Sequence, residues 1–501
     1  MKMAKRIVAL ILVLLMTLPI LIACRNDNEV DSDNTTVDTT AGEDRIDNLP
    51  DDLNFGGVDV TIFYRQVQDQ SFNNYSMELE GDFAQNGLTK AVYERNFVVE
   101  QRLGINLVFE PASGNPNQST YKSDVEKMVL AEDSSVGIDI IYHFGGDAAN
   151  QANMGYFRQI PDLPYVEINQ PYWYTTQMKG ISFNENENYL LIGELLTSNI
   201  ANMTSIFFNK EMFNNLYARE NKDYNALYDM IEAGNWTYEE YYKIVSEAYQ
   251  DDGNGFKNIG DKFGAHYESS SGRTGSYYPY TSGIKFCARD SSGFIKLNFN
   301  QDKTISLVED MYSFVNENKG TIDMTVDEAR DEFLSGNMLF YTYFLSHGAI
   351  VQAEAGFEYG VVPFPKYDEN CEYTSIVLTG AGVYVIPRFV PNDRLEVIGA
   401  TLEAMCSESS KHMTTEYYER IVKIRQAGGE RDATMIDTIK NSLNTDFTFW
   451  CGASIGRPGN LFKTLVIDQN SKNFVSYWQT FGPAYDKYLE GAIETYKKAR
   501  Y

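Results

Sequence analysis

Between residues 58 and 142 the chain alternates short apolar runs with helix-patterned stretches, and this alternation limits its possible folds more than any other feature. Val58–Tyr64 reads as a strand, Leu88–Leu103 as a helix, and residues 105–109 as a second strand. Leu88, Val92, Val99 and Leu103 are spaced by four, seven and four residues, which keeps them on one helix face. Gly104 suits the left-handed position that ends such a helix. A helix over residues 121–131 then leads into residues 138–142, apolar enough for a strand covered on both faces. Strands alternating with helices imply βαβ units and a mainly parallel sheet.

A second set of elements begins at Thr204, where Ser205, Ile206, Phe207 and Phe208 read as a strand and Asn209 and Lys210 open a helix. Thr237 and Glu240 have the spacing of a capping box. Residues 328–334 look helical, Met338–Phe344 and Tyr359–Val362 look like strands, and most of 395–501 is helical in pattern. A single hydrophobic core stops growing beyond roughly 250–300 residues, so a chain of 501 should form at least two lobes.

The 70 acidic residues outnumber the 42 basic ones, for a formal charge of −28. Nucleic acid and anionic lipid surfaces are thereby excluded as natural partners, because both require a basic face. The N-terminus adds an address. Lys2, Lys5 and Arg6 precede an apolar run broken by Thr17 and Pro19, which is too short and interrupted for a membrane span. It ends at Leu21, Ile22, Ala23, Cys24, which resembles the lipobox of bacterial lipoproteins. That resemblance implies a signal peptide over 1–23 and a lipid anchor at Cys24, hence a place on the extracytoplasmic face of the cell membrane. Residues 25–53 carry ten acids and two bases, so 24–53 is expected to be an extended acidic tether. Cys287, Cys371, Cys406 and Cys451 are widely spaced; they read as scattered core thiols, with disulfides left open.

Several motifs in order resemble the extracellular solute-binding proteins of ATP-driven importers, the family that includes maltodextrin-binding proteins. These are Asp139, Ile140 and Ile141; Phe207, Phe208, Asn209 and Lys210; Asn235, Trp236 and Thr237; Phe333 to Gly336; Tyr359 to Pro365; and Tyr417, Tyr418, Glu419 with Arg431, Asp432 and Asp437. The resemblance covers most of 55–501. It implies an α/β, two-lobed periplasmic-binding-protein-like fold (type II), with mainly parallel sheets flanked by helices and a helical C-terminal region. The expected lobes are 54–203 with 343–394, and 204–342 with 395–501. It further implies a cell-surface lipoprotein that captures a small solute, most readily a carbohydrate, between its lobes and passes it to membrane permease subunits, without chemistry or cofactor.

Rings at strand ends and crossovers are the natural cleft candidates, since sugar faces stack on aromatic surfaces. They are Tyr64 and Arg65 after the first strand, Phe144 beside His143 after the third, Trp173, Tyr278, Tyr280, Tyr343 and Trp450. A loop resembling the family's calcium site places Gln250 at position one, with Asp252, Asn254 and Asp261 as the weaker remaining ligands. A hard cation wants a carboxylate at that first position, so no metal is expected. Gly452, Ala453, Ser454, Ile455, Gly456 fits a nucleophile-elbow pattern, yet the last histidine, His412, precedes it, in the wrong order for a hydrolase triad. A carbohydrate-active hydrolase using two dispersed carboxylates, or a peptide receptor, stands as the alternative.

Overall fold

The computed structural model describes residues 47–66, 78–84, 87–114 and 116–499, the side chains at 424–426 excepted. The leader, Cys24 and the acidic segment up to residue 46 lie outside the described residues. In chain order the strands are β1 (Val58–Tyr64), β2 (Ile105–Pro111), β3 (Ile140–Phe144), β4 (Thr204–Asn209), β5 (Phe263–Tyr267), β6 (Cys287–Arg289), β7 (Ile295–Leu297), β8 (Thr321–Asp323), β9 (Met338–Phe344), β10 (Tyr359–Val362) and β11 (Gly382–Val385).

They build two lobes. The first sheet runs β11-β3-β1-β2 and the second β10-β4-β9-β5-β8, with β6 and β7 as a separate hairpin. β1 is parallel to β2 and β3, with Val58 opposite Ile105 and Ile62 opposite Ile140. β5 is parallel to β8 and β9. One strand in each sheet is reversed: β4 lies antiparallel to β9 and β10, and β11 antiparallel to β3. Each is the first strand laid down after the chain changes lobe. A crossover delivers the chain from the other lobe instead of returning it over a helix, so the direction flips there. β3 and β4 are buried along their whole length, as their unbroken apolar character requires.

The helices follow their patterns. Leu88–Leu103 buries Val92, Val99 and Leu103 and ends at Gly104, whose φ of 58° is left-handed. Thr237 caps its helix through the Glu240 amide, and a full reciprocal capping box forms at Thr325 and Glu328.

Two lobe boundaries differ from expectation. β10, expected in the first lobe with 343–394, pairs with β4 in the second, Gly360 facing Phe208. The chain therefore recrosses between Val362 and Gly382. Helix Leu395–Lys411, expected in the second lobe, packs on Leu88–Leu103 of the first, and Arg394 beside it grips Asp139 at 2.7 Å. The third crossing follows that helix, since Asp432 of helix Glu430–Asn441 accepts the Val361 amide of β10 at 2.8 Å and binds Lys210 at 2.9 Å. In each case a backbone ladder or a buried charge pair, formed with a distant segment, overrode local periodicity.

Residues 47–53, expected to belong to the acidic tether, are among the described residues and join the first lobe. Asp47 receives both terminal nitrogens of Arg102, at 2.6 and 2.8 Å, and Leu49 is 3% exposed. From residue 47 the chain is docked on the first lobe. Cys287, Cys371, Cys406 and Cys451 are free thiols. No helix among the described residues is long and apolar enough to cross a membrane.

Candidate functional site: the interlobe cleft

In open α/β sheets, ligands sit beyond the carboxyl ends of the strands. β3 ends at Phe144, and helix Gly145–Asn153 begins at once. The first two amides of that helix donate to the crossover segment, Gly145 to Ala381 at 2.8 Å and Gly146 to Thr379 at 2.7 Å. The start of the helix is thus fixed against the chain that joins the lobes. Beside it opens a cavity of about 290 Å³. The first lobe supplies Gln118, Asp147 and Asn150, the second Ser276 and Tyr280, the crossover Thr379, and the C-terminal region Trp450, Arg457 and Asn460.

Trp450 forms one wall. Its six-membered ring lies against the Gly145 Cα, where any Cβ would overlap it, so glycine is required for close approach. The indole Nε1 makes no hydrogen bond among the described residues although the side chain is 2% exposed. A buried donor without a partner is costly and marks a place where a ligand group or water completes the site. Asp446 holds the preceding turn, accepting the Thr448 amide at 2.8 Å and its hydroxyl at 2.6 Å, and Thr448 in turn meets the Tyr280 hydroxyl at 2.7 Å. Burial pushes the Asp446 carboxyl upward, against these hydrogen bonds. Arg457 has a φ of 58°, left-handed and strained for a non-glycine residue, at the rim of the cavity.

Of the rings expected in the cleft, Tyr280 and Trp450 line this cavity, and half-buried Tyr343 lines a smaller one beside it. The others, Tyr278 apart, are placed elsewhere. Tyr64 is 1% exposed and donates to Glu80. Arg65 donates to the Pro116 carbonyl at 2.6 Å and lies 5.6 Å from the ring of Phe144, which is itself buried. Tyr278 also lines that smaller pocket, while its ring packs among Tyr238, Tyr241 and Phe314. Trp173 is inside the first lobe, its indole donating to Glu403 at 2.9 Å. Tyr64, Arg65, Phe144 and Trp173 line neither cavity, and each is engaged by a residue 16 or more positions away.

Sequence reasoning missed Asp147, Asn150 and Arg457. Gly145, Gly146 and Asp147 directly after an apolar strand were the available signal for the first two, because a strand's carboxyl end followed by a helix start is where this architecture binds. The Gly-x-Ser-x-Gly segment forms a short turn, Gly452–Ile455, in which Ser454 donates to Asn150 at 2.6 Å. No histidine lines the cavity among the described residues. His143 has both ring nitrogens engaged, by Gln151 at 2.9 Å and the Phe144 amide at 2.8 Å, and burial brings its pKa down to about 4.

In the calcium-like loop the carboxylates of Asp251, Asp252 and Asp261 come within 4.8 Å of one another. Asp251 thus stands where Gln250 and Asn254 were expected to contribute. The Gln250 backbone is in a ladder with Lys262, and the Asn254 side chain accepts the Phe256 amide at 2.7 Å. Asp261 already accepts the Asp252 amide and the Tyr249 hydroxyl, each at 2.9 Å, so the loop closes on its own hydrogen bonds. Three carboxylates would suit a hard cation, short of the usual six to eight oxygens. A larger groove of about 870 Å³ lies between Phe213 and Ile244 of the second lobe and Tyr367 of the crossover segment.

Two α/β lobes joined by three crossings, with a cavity between them, define the maltodextrin-binding-protein-like fold of solute-binding proteins. Among solved structures the chain is similar to a cyclo/maltodextrin-binding protein complexed with maltotetraose (TM-score 0.55, 11% identity, 88% of this chain and 96% of that one). It is similar also to the galacto-N-biose-/lacto-N-biose I-binding protein of an ABC transporter from Bifidobacterium longum, in complex with lacto-N-biose (0.51, 11%, 89% and 98%). UspC of M. tuberculosis gives a TM-score of 0.51 at 13% identity, over 86% of this chain and 100% of that one. At such identities the likeness establishes the fold. No protein-family model matches the sequence, and no curated protein matches it.

Proposed function

We propose that this chain is the extracytoplasmic solute-binding lipoprotein of an ATP-driven importer, anchored at Cys24, that captures a sugar between its lobes without chemistry and hands it to permease subunits. The observation that carries this reading is the interlobe cavity itself. Three aromatic residues, Tyr280, Phe449 and Trp450, stand among neutral hydrogen-bonding groups from both lobes and the crossover, Gln118, Asn150, Ser276, Thr379 and Asn460 among them, which outnumber the charged Lys122, Asp147 and Arg457. Rings with mainly uncharged polar groups, and charges of both signs that nearly balance, suit an uncharged, polyhydroxylated ligand. The structural relatives, complexed with maltotetraose and lacto-N-biose, support the same class. Sites for small ligands span about 300–1,000 Å³, so 290 Å³ favours one or two sugar units.

The hydrolase alternative is weaker on this geometry. Asp147 is the one carboxylate among the described lining residues, and it is already engaged by Lys122 at 3.3 Å and Gln118 at 2.9 Å. Glycoside hydrolysis uses two carboxyl groups. A thermal-shift screen of mono- and oligosaccharides against short peptides, followed by calorimetry, tests the proposal. A sugar should raise the melting temperature and be recovered unchanged after long incubation; a shift by peptides alone, or cleavage of the sugar, would overturn it.

A further inference from the structure

Helix Arg273–Thr281 shows two cavities with one face. Ser276 and Tyr280 line the interlobe cavity, while Arg273 and Tyr277 line a pocket of about 20 Å³ next to it. Positions 273, 276, 277 and 280 follow i, i+3, i+4, i+7 spacing, so they form a single stripe along the helix. The same helix therefore lines both the cleft and the pocket. Its other walls come from the carboxyl-terminal halves of β5 and β9, through His266, Thr342 and Tyr343. This is the edge of the second sheet that corresponds to the Phe144 edge of the first.

The polar atoms of this pocket are poorly satisfied. Both ring nitrogens of His266, the Tyr277 hydroxyl and the Thr342 hydroxyl make no hydrogen bond of good geometry among the described residues, their polar neighbours being the Thr342 and Met324 backbone, Arg273 and Tyr241 respectively. His266, Tyr277 and Thr342 are 7%, 4% and 5% exposed. Four such atoms gather around one small void, and each poorly satisfied buried group costs about as much as a lost hydrogen bond. A void this size accommodates about one water.

We propose that this pocket is a hydroxyl-binding subsite of the cleft, filled by one water in the free protein and by a single hydroxyl of the ligand in the complex. The inference rests on the carbohydrate reading above and specifies what the second lobe contributes to it. The chemistry selects a neutral group. Arg273 is held by Glu268, one nitrogen lying 2.8 and 3.1 Å from its two carboxylate oxygens, so the two charges cancel at the pocket mouth. Burial brings the His266 pKa down to about 4, which leaves a neutral imidazole that both donates and accepts. Phenol and threonine hydroxyls do the same. A hydroxyl donates once and accepts twice, so it can pair with one imidazole nitrogen and both hydroxyls, whereas an ammonium can only donate and a carboxylate only accept.

The test uses two substitutions that remove one polar atom each and keep the shape, Tyr277→Phe and Thr342→Val. Maltotetraose and lacto-N-biose serve as probes in calorimetry, with crystal structures of the free and sugar-bound protein. The free protein should show one ordered water touching His266, Tyr277 and Thr342, and the bound form a sugar hydroxyl in its place. Each variant should melt close to the parent and bind the sugar about tenfold more weakly. A parent that binds one of these sugars while both variants bind it equally well, or a complex in which the water stays, overturns the subsite alone. A parent that binds neither these sugars nor any other in the thermal-shift screen overturns the carbohydrate reading and the subsite together.

Discussion

Trp450 and Trp173 are almost equally buried, at 2% and 4% exposure, yet their surroundings assign them opposite roles. Trp173 has its indole hydrogen satisfied by Glu403, whose carboxyl burial raises while the Trp173 and Tyr172 hydrogen bonds oppose that shift. Trp450 has no such partner and faces the cleft. Trp173→Ala should therefore cost about 3–5 kcal/mol of stability and leave sugar affinity unchanged in the molecules that remain folded. Trp450→Ala should weaken sugar binding by more than about tenfold, because an anchor ring is lost from the site. Calorimetry and chemical denaturation on both variants check the contrast; equal effects on affinity would contradict it. In sequence the two residues looked alike, each an aromatic in a stretch without helical periodicity. What separates them is a glutamate 230 positions away, which no local pattern reveals. Gly145 was equally silent, since its need for hydrogen at Cα comes from a ring 305 residues later.

At the scale of elements, the docking of the first described residues on helix Leu88–Leu103 depends on the Asp47 and Arg102 pair. Asp47 has no exposed side-chain surface, and Arg102 is 10% exposed. Burial alone would raise the Asp47 pKa, but the Arg102 hydrogen bond and charge outweigh it and hold the carboxyl below its ordinary 3.8. A carboxylate whose folded pKa is depressed contributes stability that is complete above its unfolded value and is lost as pH falls through the folded one. Asp47→Asn should thus cost about 3 kcal/mol at neutral pH, and its gap from the parent should close below about pH 4. Urea denaturation at a series of pH values reads this directly; a gap that persists unchanged at pH 3 would refute it. The elements themselves were largely legible: β1, β9 and β10 fall where their apolar runs predict, and Gly104 ends its helix as expected. The docking of residue 47 was not, because composition describes how a segment behaves alone and says nothing of an arginine waiting on a neighbouring helix.

For the whole molecule, three crossings between two lobes are the arrangement in which hinge residues absorb closure around a ligand. Saturating sugar should reduce the radius of gyration in small-angle scattering and protect the amides of Gly145 and Gly146 from exchange, since these donate to the crossover carbonyls of Ala381 and Thr379. An unchanged scattering profile with a ligand bound would mean that recognition occurs without closure. Two lobes could be read from length and alternation alone. Their boundaries could not, because β10 and helix Leu395–Lys411 are assigned by partners in β4 and in helix Leu88–Leu103, pairings between segments that lie 150 residues or more apart.

The four free thiols carry a further consequence. Cys371, Cys406 and Cys451 are buried, and burial raises the pKa of all four, so the native protein presents hardly any thiolate to an oxidant or an alkylating reagent. Their positions span both lobes and the crossover that follows β10. A thiol-reactive dye added to the folded protein would then act as a clock for local opening, and the order in which the four react would report which part of the molecule breathes first.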